Sequence, residues 1–254
     1  MKKRSNKNFI IAIIVLAVTF LIFWRVKNNN NYQDSKQEDK IDQIEQITPP
    51  QDSEDELKIG TETPATVILP EKIYINVPFI IQSPFASWDA LHEDACEEAS
   101  LLMIKYLKDN RNNISKTEAD NDIKAMIDYE EANGYEISVT LKELNQIAND
   151  YFGFRDGEVK NISSVEDIKR ELAMNKPVIV GASGKMLENP NFRNGGPNYH
   201  MLVIIGYDQK GFITNDPGTR KGEDFRYSYQ NLYNSIHDWN QIDILKGEKN
   251  FLVF

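Results

Sequence analysis

The chain carries one cysteine, Cys96, and three histidines, His92, His200 and His237. A thiolate attacks acyl carbonyls, provided that a base takes the thiol proton and a third group orients the base. Cys96 stands in the run Asp94-Ala95-Cys96-Glu97-Glu98-Ala99-Ser100. Asp94 reads as a helix N-cap, and Glu97, three residues on, completes a capping box. The spacing therefore predicts Cys96 in the first turn, where free backbone N–H groups and the helix dipole favour a thiolate. A lone cysteine has no intrachain disulfide partner, and by itself it reads first as a small buried apolar side chain.

The search for a base is short. His200 directly precedes the apolar run Met201-Leu202-Val203-Ile204-Ile205-Gly206-Tyr207, and Asp216 follows Phe212-Ile213-Thr214-Asn215. A hairpin across Asp208-Gln209-Lys210, centred on Gln209, sets Asp216 opposite Leu202. His200 is then its diagonal neighbour on the same face. A one-residue slip would separate them. Asp216-Pro217-Gly218 is also an ordinary turn signal, and His200 an ordinary polar strand end. His92, four residues before Cys96, is the rival base; its acidic neighbours suggest a solvated or capping role. His237 reads as a surface or helix-end residue. No second cysteine and no pair of histidines at helix-face spacing offers a metal site, and no cofactor is expected.

The elements that must position these groups are legible in outline. Ile73 to Gln82 is strand-like, interrupted by Pro78. The Cys96 helix is expected to run to about Lys108, burying Ala99, Leu102, Met103 and Tyr106. Ser115/Glu118, Thr140/Glu143 and Ser164/Asp167 mark three more helix starts. Pro177 to Ala182 is a short apolar strand, Tyr229 to Trp239 a helix, and Phe251 to Phe254 a terminal strand. Gly195-Gly196-Pro197-Asn198 reads as a loop bordering a cleft. Helices come first and strands cluster late, so the expected class is α+β with a mainly antiparallel sheet.

Four motifs occur in order: Pro78-Phe79 with Gln82; Trp88-Asp89 through His92 to Cys96-Glu97-Glu98-Ala99-Ser100; Tyr199-His200 with Gly206-Tyr207; and Asn215-Asp216-Pro217-Gly218. In these the chain resembles the C39-like cysteine peptidases, of papain-like fold, over roughly residues 76–254. The resemblance implies Cys96 as nucleophile, His200 as general base and acid, and Asp216 as the group orienting His200. It implies that Gln82 donates a side-chain N–H to an oxyanion hole beside the Cys96 backbone N–H. Two departures stand out. Glu97 follows the nucleophile where many relatives carry glycine, and Gln82 precedes it by fourteen residues. The acidic set Glu93, Asp94, Glu97 and Glu98 is expected to raise the thiol pKa and offset the helix dipole, leaving protonated His200 to decide activation.

The N-terminal part is of another kind. Residues 9–24 hold no charge, with Lys2, Lys3, Arg4 and Lys7 before them and Arg25 and Lys27 after. Trp24 and snorkelling basic residues extend this toward the roughly 20 residues of a spanning helix. No small-residue cleavage site follows, so the expectation is an uncleaved signal anchor over 9–26. The heavier positive flank, residues 1–8, is placed in the cytoplasm and the remainder outside. Residues 27–71 are rich in Asn, Asp, Glu and Gln and read as a disordered acidic tether with a span of roughly 35 Å. Residues 72–254 are left as the peptidase domain.

Charge follows the same division. Of 29 basic and 39 acidic residues, six basic and no acidic ones fall in residues 1–27, leaving the rest at a formal −16. Nucleic acid is thereby disfavoured as a partner, and so are anionic head groups for the folded part. The expected partners are a peptide or protein substrate and, through residues 9–26, the lipid bilayer.

Overall fold

The computed structural model describes residues 68–254. The expected anchor at 9–26, and the tether up to residue 67, lie outside the described residues. Among those described, no helix is long and apolar enough to cross a membrane. The first tie to the domain comes at Pro70, whose carbonyl accepts the Tyr207 hydroxyl at 2.9 Å, two residues before the expected boundary.

The architecture is α+β. Helices α1 (Ala90–Glu93), α2 (Cys96–Lys108), α3 (Lys116–Ala132) and α4 (Leu141–Phe152) precede most of the sheet. Among the described residues, strands β1 (Ile73–Tyr74), β2 (Glu158–Asn161), β3 (Val178–Ala182), β4 (His200–Asp208), β5 (Gly211–Asn215), β6 (Phe225–Tyr227) and β7 (Asn250–Val253) form one sheet. Its order is β2-β7-β3-β4-β5-β6, with β1 added on β4. All its pairings are antiparallel. Helix α5 (Val165–Ala173) leads into β3, and α6 (Tyr229–Ser235) follows β6.

Helix α2 is the centre of the domain. Leu101, Leu102, Met103, Ile104 and Tyr106 are all buried, with Ala95 and Ala99 at its start. It has no solvent stripe along these residues, so it is a core helix rather than an amphipathic surface one. The polar residues of its first turns are buried with it: Glu97, Glu98 and Ser100 are each at most 3% exposed, and Lys105 is the first to reach solvent.

Its start differs from expectation. Asp94 closes α1 at φ −114°, ψ 10°, away from the extended backbone an N-cap needs. Ala95 holds the N-cap position with no side-chain bond, and the Asp94/Glu97 capping box does not form. The other starts fare better. Thr140 and Glu143 make a reciprocal box, and Asp167 reaches back to the Ser164 N–H at 2.8 Å. Ser115 caps Glu118, but the Glu118 carboxylate pairs with Arg111 instead of returning.

The hairpin that carries His200 and Asp216 has two features. Its turn is tighter than expected, with Asp208 paired to Gly211 across Gln209-Lys210. A bulge between Ile204 and Gly206 then shifts the register, so Val203 faces Asn215. The expected pairing of Leu202 with Asp216 is the next step of that register. Gly206, beside the bulge, lets β1 cross close, because a Cβ there would meet the Ile73 carbonyl oxygen at 2.2 Å.

Two more elements are shorter than read. After Tyr74 the chain leaves the ladder: Pro78 has no N–H to offer, and the segment is fastened by Asn215 Nδ2 to the Val77 carbonyl at 2.9 Å and by the Gln82 N–H to the Pro217 carbonyl at 3.0 Å. Helix α6 stops at Ser235, because Ile236 turns extended and bridges Ala182. The polar strand β2 lacks an apolar run and was not expected; its ladder to β7 runs from Glu158–Val253 to Asn161–Asn250.

Candidate active site

Cys96 is the first residue of α2 and is buried. Its sulfur touches two groups. The Met201 N–H donates to it at 3.3 Å, and the thiol donates to Glu97 Oε2 at 2.8 Å. The residue next to His200 on β4 is thus in hydrogen-bond contact with the thiol across 105 residues of sequence.

His200 and Asp216 meet. His200 Nε2 lies 2.7 Å from Asp216 Oδ1, and both side chains are fully enclosed. With Nε2 committed, Nδ1 is the ring nitrogen left to exchange a proton. Phe192 stands edge-on to the imidazole with ring centroids 5.2 Å apart. Gly218 packs against both rings, where a Cβ would come within 2.8 Å of His200 Cε1 and 3.0 Å of Phe192 Cε1.

Asp216 is held by groups that sequence reasoning did not find. Its Oδ2 accepts the Tyr227 hydroxyl at 2.6 Å and Asn189 Nδ2 at 3.2 Å, and its Oδ1 accepts the Gly218 N–H at 3.0 Å. Burial by itself raises this carboxyl. The His200 ring and the hydrogen bonds from His200, Tyr227 and Gly218 outweigh burial and hold it below its ordinary value. The neighbouring carboxamide, Asn215, faces elsewhere, bonding the Val77 carbonyl and the Asp224 N–H.

The thiol has the opposite balance. Burial pushes Cys96 well above its ordinary pKa, and the Glu97 charge, the bond to Glu97 and the Glu98 charge add to this. Only the Met201 N–H pulls it back. Glu97 is itself pushed up to about 8, mainly by burial. The expected effect of the acidic neighbours is therefore present in Glu97 and Glu98, but it acts from inside the core and not from a solvated helix start.

Gln82 lines the same cleft as His200, together with Trp88, Phe192, Asn198 and Gly218, around a cavity of about 370 Å³. The expected border loop contributes Gly196, Pro197 and Asn198. Gln82 Nε2 donates to the His92 carbonyl at 2.9 Å and to the Glu93 carbonyl at 3.0 Å. An amide nitrogen has two donor hydrogens, so both are committed to the α1 backbone.

His92 is neither solvated nor a cap. It is buried, with Nδ1 2.7 Å from Asp89 and Nε2 2.8 Å from Asp120. Both ring nitrogens are thereby spent between two carboxylates, joining α1 to α3. His237 is partly buried at the end of α6, with Nδ1 3.3 Å from the Gly247 carbonyl.

This geometry sets a buried thiol at a helix start against a hairpin bearing a histidine–carboxylate pair. The profile of the Peptidase_C39 like family matches residues 74–245. The chain belongs to the Peptidase_C39 like family. A solved structure, named "putative C39-like peptidase from Bacillus anthracis", is similar at 19% sequence identity, covering 72% of this chain and 97% of that chain with a TM-score of 0.47. No protein with a curated description matches the chain.

Proposed function

We propose that the chain is a membrane-anchored, extracytoplasmic cysteine peptidase of papain-like fold, cleaving peptide or amide bonds through Cys96, His200 and Asp216. The observation that carries this reading is the 3.3 Å contact from the Met201 N–H to the Cys96 sulfur, next to the 2.7 Å pair of His200 and Asp216. It brings the one thiol to the residue adjoining His200, whose Nδ1 is not taken by Asp216.

The steps follow from the atoms. The thiol turns from Glu97 toward His200 Nδ1 and gives up its proton there. The sulfur bonds to the acyl carbon, and the imidazolium returns the proton to the leaving amine as the C–N bond breaks. A water molecule, deprotonated by His200, then cleaves the thioester. Asp216 fixes the tautomer and offsets the imidazolium charge. The Cys96 backbone N–H, in the first helical turn, is available to the oxyanion. Gln82 joins it by exchanging one of its two bonds to the α1 carbonyls.

A second reading has its own support. The thiol is pushed up and bonded to Glu97, and both Gln82 donors are spent. These features suit a surface module that holds peptide in the cleft without cutting it. An amine in place of water would instead make the same thioester an acyl-transfer intermediate on cell-wall peptides.

Incubating the full-length protein with a peptide library and reading new termini by mass spectrometry separates these readings. Wild type is expected to generate cleavage products, Cys96→Ser none, and His200→Ala at least a hundredfold fewer. Binding of peptides without cleavage from pH 5 to 9 would favour the module. Aminated products in place of free carboxylates would favour acyl transfer.

Topology is tested separately. The charge-free run at 9–24 and its basic flanks support an anchor with the domain outside. Protease added to intact cells is expected to release a soluble fragment containing Cys96. A full-length chain protected until lysis would overturn the placement.

A further inference from the structure

Asn189 stands between β3 and β4, three residues before Phe192, which lines the His200 cleft. The run Asn189-Pro190-Asn191-Phe192 has the residues of a tight turn, Asn first and Pro second. The turn closes with the Phe192 N–H on the Asn189 carbonyl at 3.1 Å. Asn189 Oδ1 braces it from inside, accepting the Asn191 N–H at 3.0 Å and Asn191 Nδ2 at 3.1 Å. Such a brace needs only the amide oxygen. The amide nitrogen does not go to solvent, because Asn189 is only 4% exposed. It is aimed inward, at the Tyr227 hydroxyl at 2.8 Å and Asp216 Oδ2 at 3.2 Å.

One orientation of this amide fits. Its oxygen takes both Asn191 hydrogens, and its N–H groups meet a phenol and a carboxylate, so every capacity of the group is used. The Tyr227 hydroxyl accepts from Asn189 and gives its own hydrogen to Asp216 Oδ2 at 2.6 Å. Asp216 Oδ2 is thereby fixed, and with it Oδ1, which holds His200 Nε2 at 2.7 Å. The same amide fixes the turn that sets Phe192 edge-on to the His200 ring at 5.2 Å. The imidazole is thus confined at its nitrogen and at its ring by two contacts that share one side chain. Past Phe192 the wall reaches α1 through Arg193 and Glu93, an exposed pair 3.7 Å apart that contributes little.

We propose that Asn189 is a positioning residue of this site, clasping the cleft wall to the Asp216 carboxylate so that His200 and Phe192 keep one relative placement. It touches neither substrate nor the reacting atoms. That the placement serves peptide cleavage rests on the peptidase reading above. Loss of the amide frees both ends at once. Asp216 loses a donor, and the Tyr227 hydroxyl loses the group that orients it, so the His200 Nε2–H is held less firmly. Phe192 leaves its place against the ring, and the cleft loses a defined wall. Tyr227→Phe differs, since it cuts a bond to Asp216 and leaves the turn intact. The clasp therefore has a signature that a single lost bond to Asp216 does not produce: turnover and substrate binding deteriorate together.

Two measurements that need no cleavage test the clasp on the full-length protein. In proton NMR spectra the His200 Nε2–H is expected as a signal downfield of the backbone amides, identified by its loss in His200→Gln. Asn189→Ala is expected to lose this signal through exchange with water, whereas Tyr227→Phe retains it and the His92 imidazole signals persist in both. In wild type, hydrogen exchange at the Asn191 N–H is expected to be roughly tenfold or more slower than at the Asn194 N–H of the same exposed loop. With a cleaved peptide, Asn189→Ala is expected to lower kcat roughly tenfold and raise KM roughly threefold or more. Tyr227→Phe should leave KM unchanged, and Phe192→Ala should raise it. Absence of the His200 signal in wild type, its persistence in folded Asn189→Ala, Asn191 exchanging as fast as Asn194, or Tyr227→Phe matching Asn189→Ala in both constants would each overturn the proposal. The exchange arm uses wild type alone, so misfolding of Asn189→Ala does not leave the question open. Absence of cleavage by wild type would count against the peptidase reading and not against the clasp.

Discussion

Asp216→Ala is expected to lower the cleavage rate by roughly 10²–10⁴-fold, and to destabilise the domain by about 3–5 kcal/mol. The two effects have different origins. The stability loss comes from leaving the Tyr227 hydroxyl, Asn189 Nδ2, the Gly218 N–H and His200 Nε2 facing a cavity with no acceptor. The rate loss comes from freeing the imidazole to rotate and to take the wrong tautomer. Asp216→Asn keeps an acceptor for His200 Nε2 but loses the charge that balances the imidazolium, so an intermediate rate is expected. Tyr227→Phe removes one of the four donors and should cost about 1 kcal/mol with a small change in rate. Cleavage rates against pH, with urea midpoints on the same variants, check all three. If Asp216→Ala lost stability while its rate and pH profile stayed those of wild type, Asp216 would be a turn residue only.

Stability of the domain should fall as pH rises from about 5.5 to 8. Glu97 is pushed up to about 8 and Glu130 to about 7, from an ordinary value of 4.5, and Glu98 is raised well above it. Between the ordinary and the raised values the folded chain binds more protons than the unfolded chain. The slope of unfolding free energy with pH is therefore negative in this window, by up to about 1.4 kcal/mol per pH unit for each group. Asp216 works the other way: its carboxyl is lowered, so its contribution is full at neutral pH and is lost on acidification. Maximum stability is thus expected on the acidic side of neutrality. Urea midpoints at pH 5.5 and 8 measure the difference, and Glu97→Gln, Glu98→Gln and Glu130→Gln combined should remove most of it. A midpoint that rises between those two pH values would show that the buried carboxyls do not govern stability.

How much of this was legible in the sequence differs from residue to residue. The His200–Asp216 meeting follows from two strand runs and their spacing, yet its register came out for a reason the spacing did not contain. The turn was read one residue too wide, with its centre half a residue early, and the bulge at Ile205 compensates. Bulges leave no mark in an apolar run. Tyr227 and Asn189 reach Asp216 from a short strand and from a loop, and neither local pattern announces such a contact. Glu97 is another case. An acid in a first helical turn reads as a cap, and that reading prevailed. The competing signal was present: Ala95, Ala99 and the run Leu101 to Ile104 leave α2 no polar stripe, so its acids had to be buried. Gln82 lines the cleft, and its hydrogen bonds to the His92 and Glu93 carbonyls depend on an α1 turn too short to be read from four residues.

The fastening of Val77 to Asn215 spans 138 residues, and that of Cys96 to Met201 spans 105. Contacts this distant close late, because the loop entropy must be spent before they contribute anything. A chain emerging N-terminus first presents Cys96 long before His200 and Asp216 exist as a hairpin. The thiol thus has no base, and the Asn215 turn has no segment to grip, until nearly the whole domain has arrived. A site laid out in this order cannot assemble until synthesis of the domain is nearly finished.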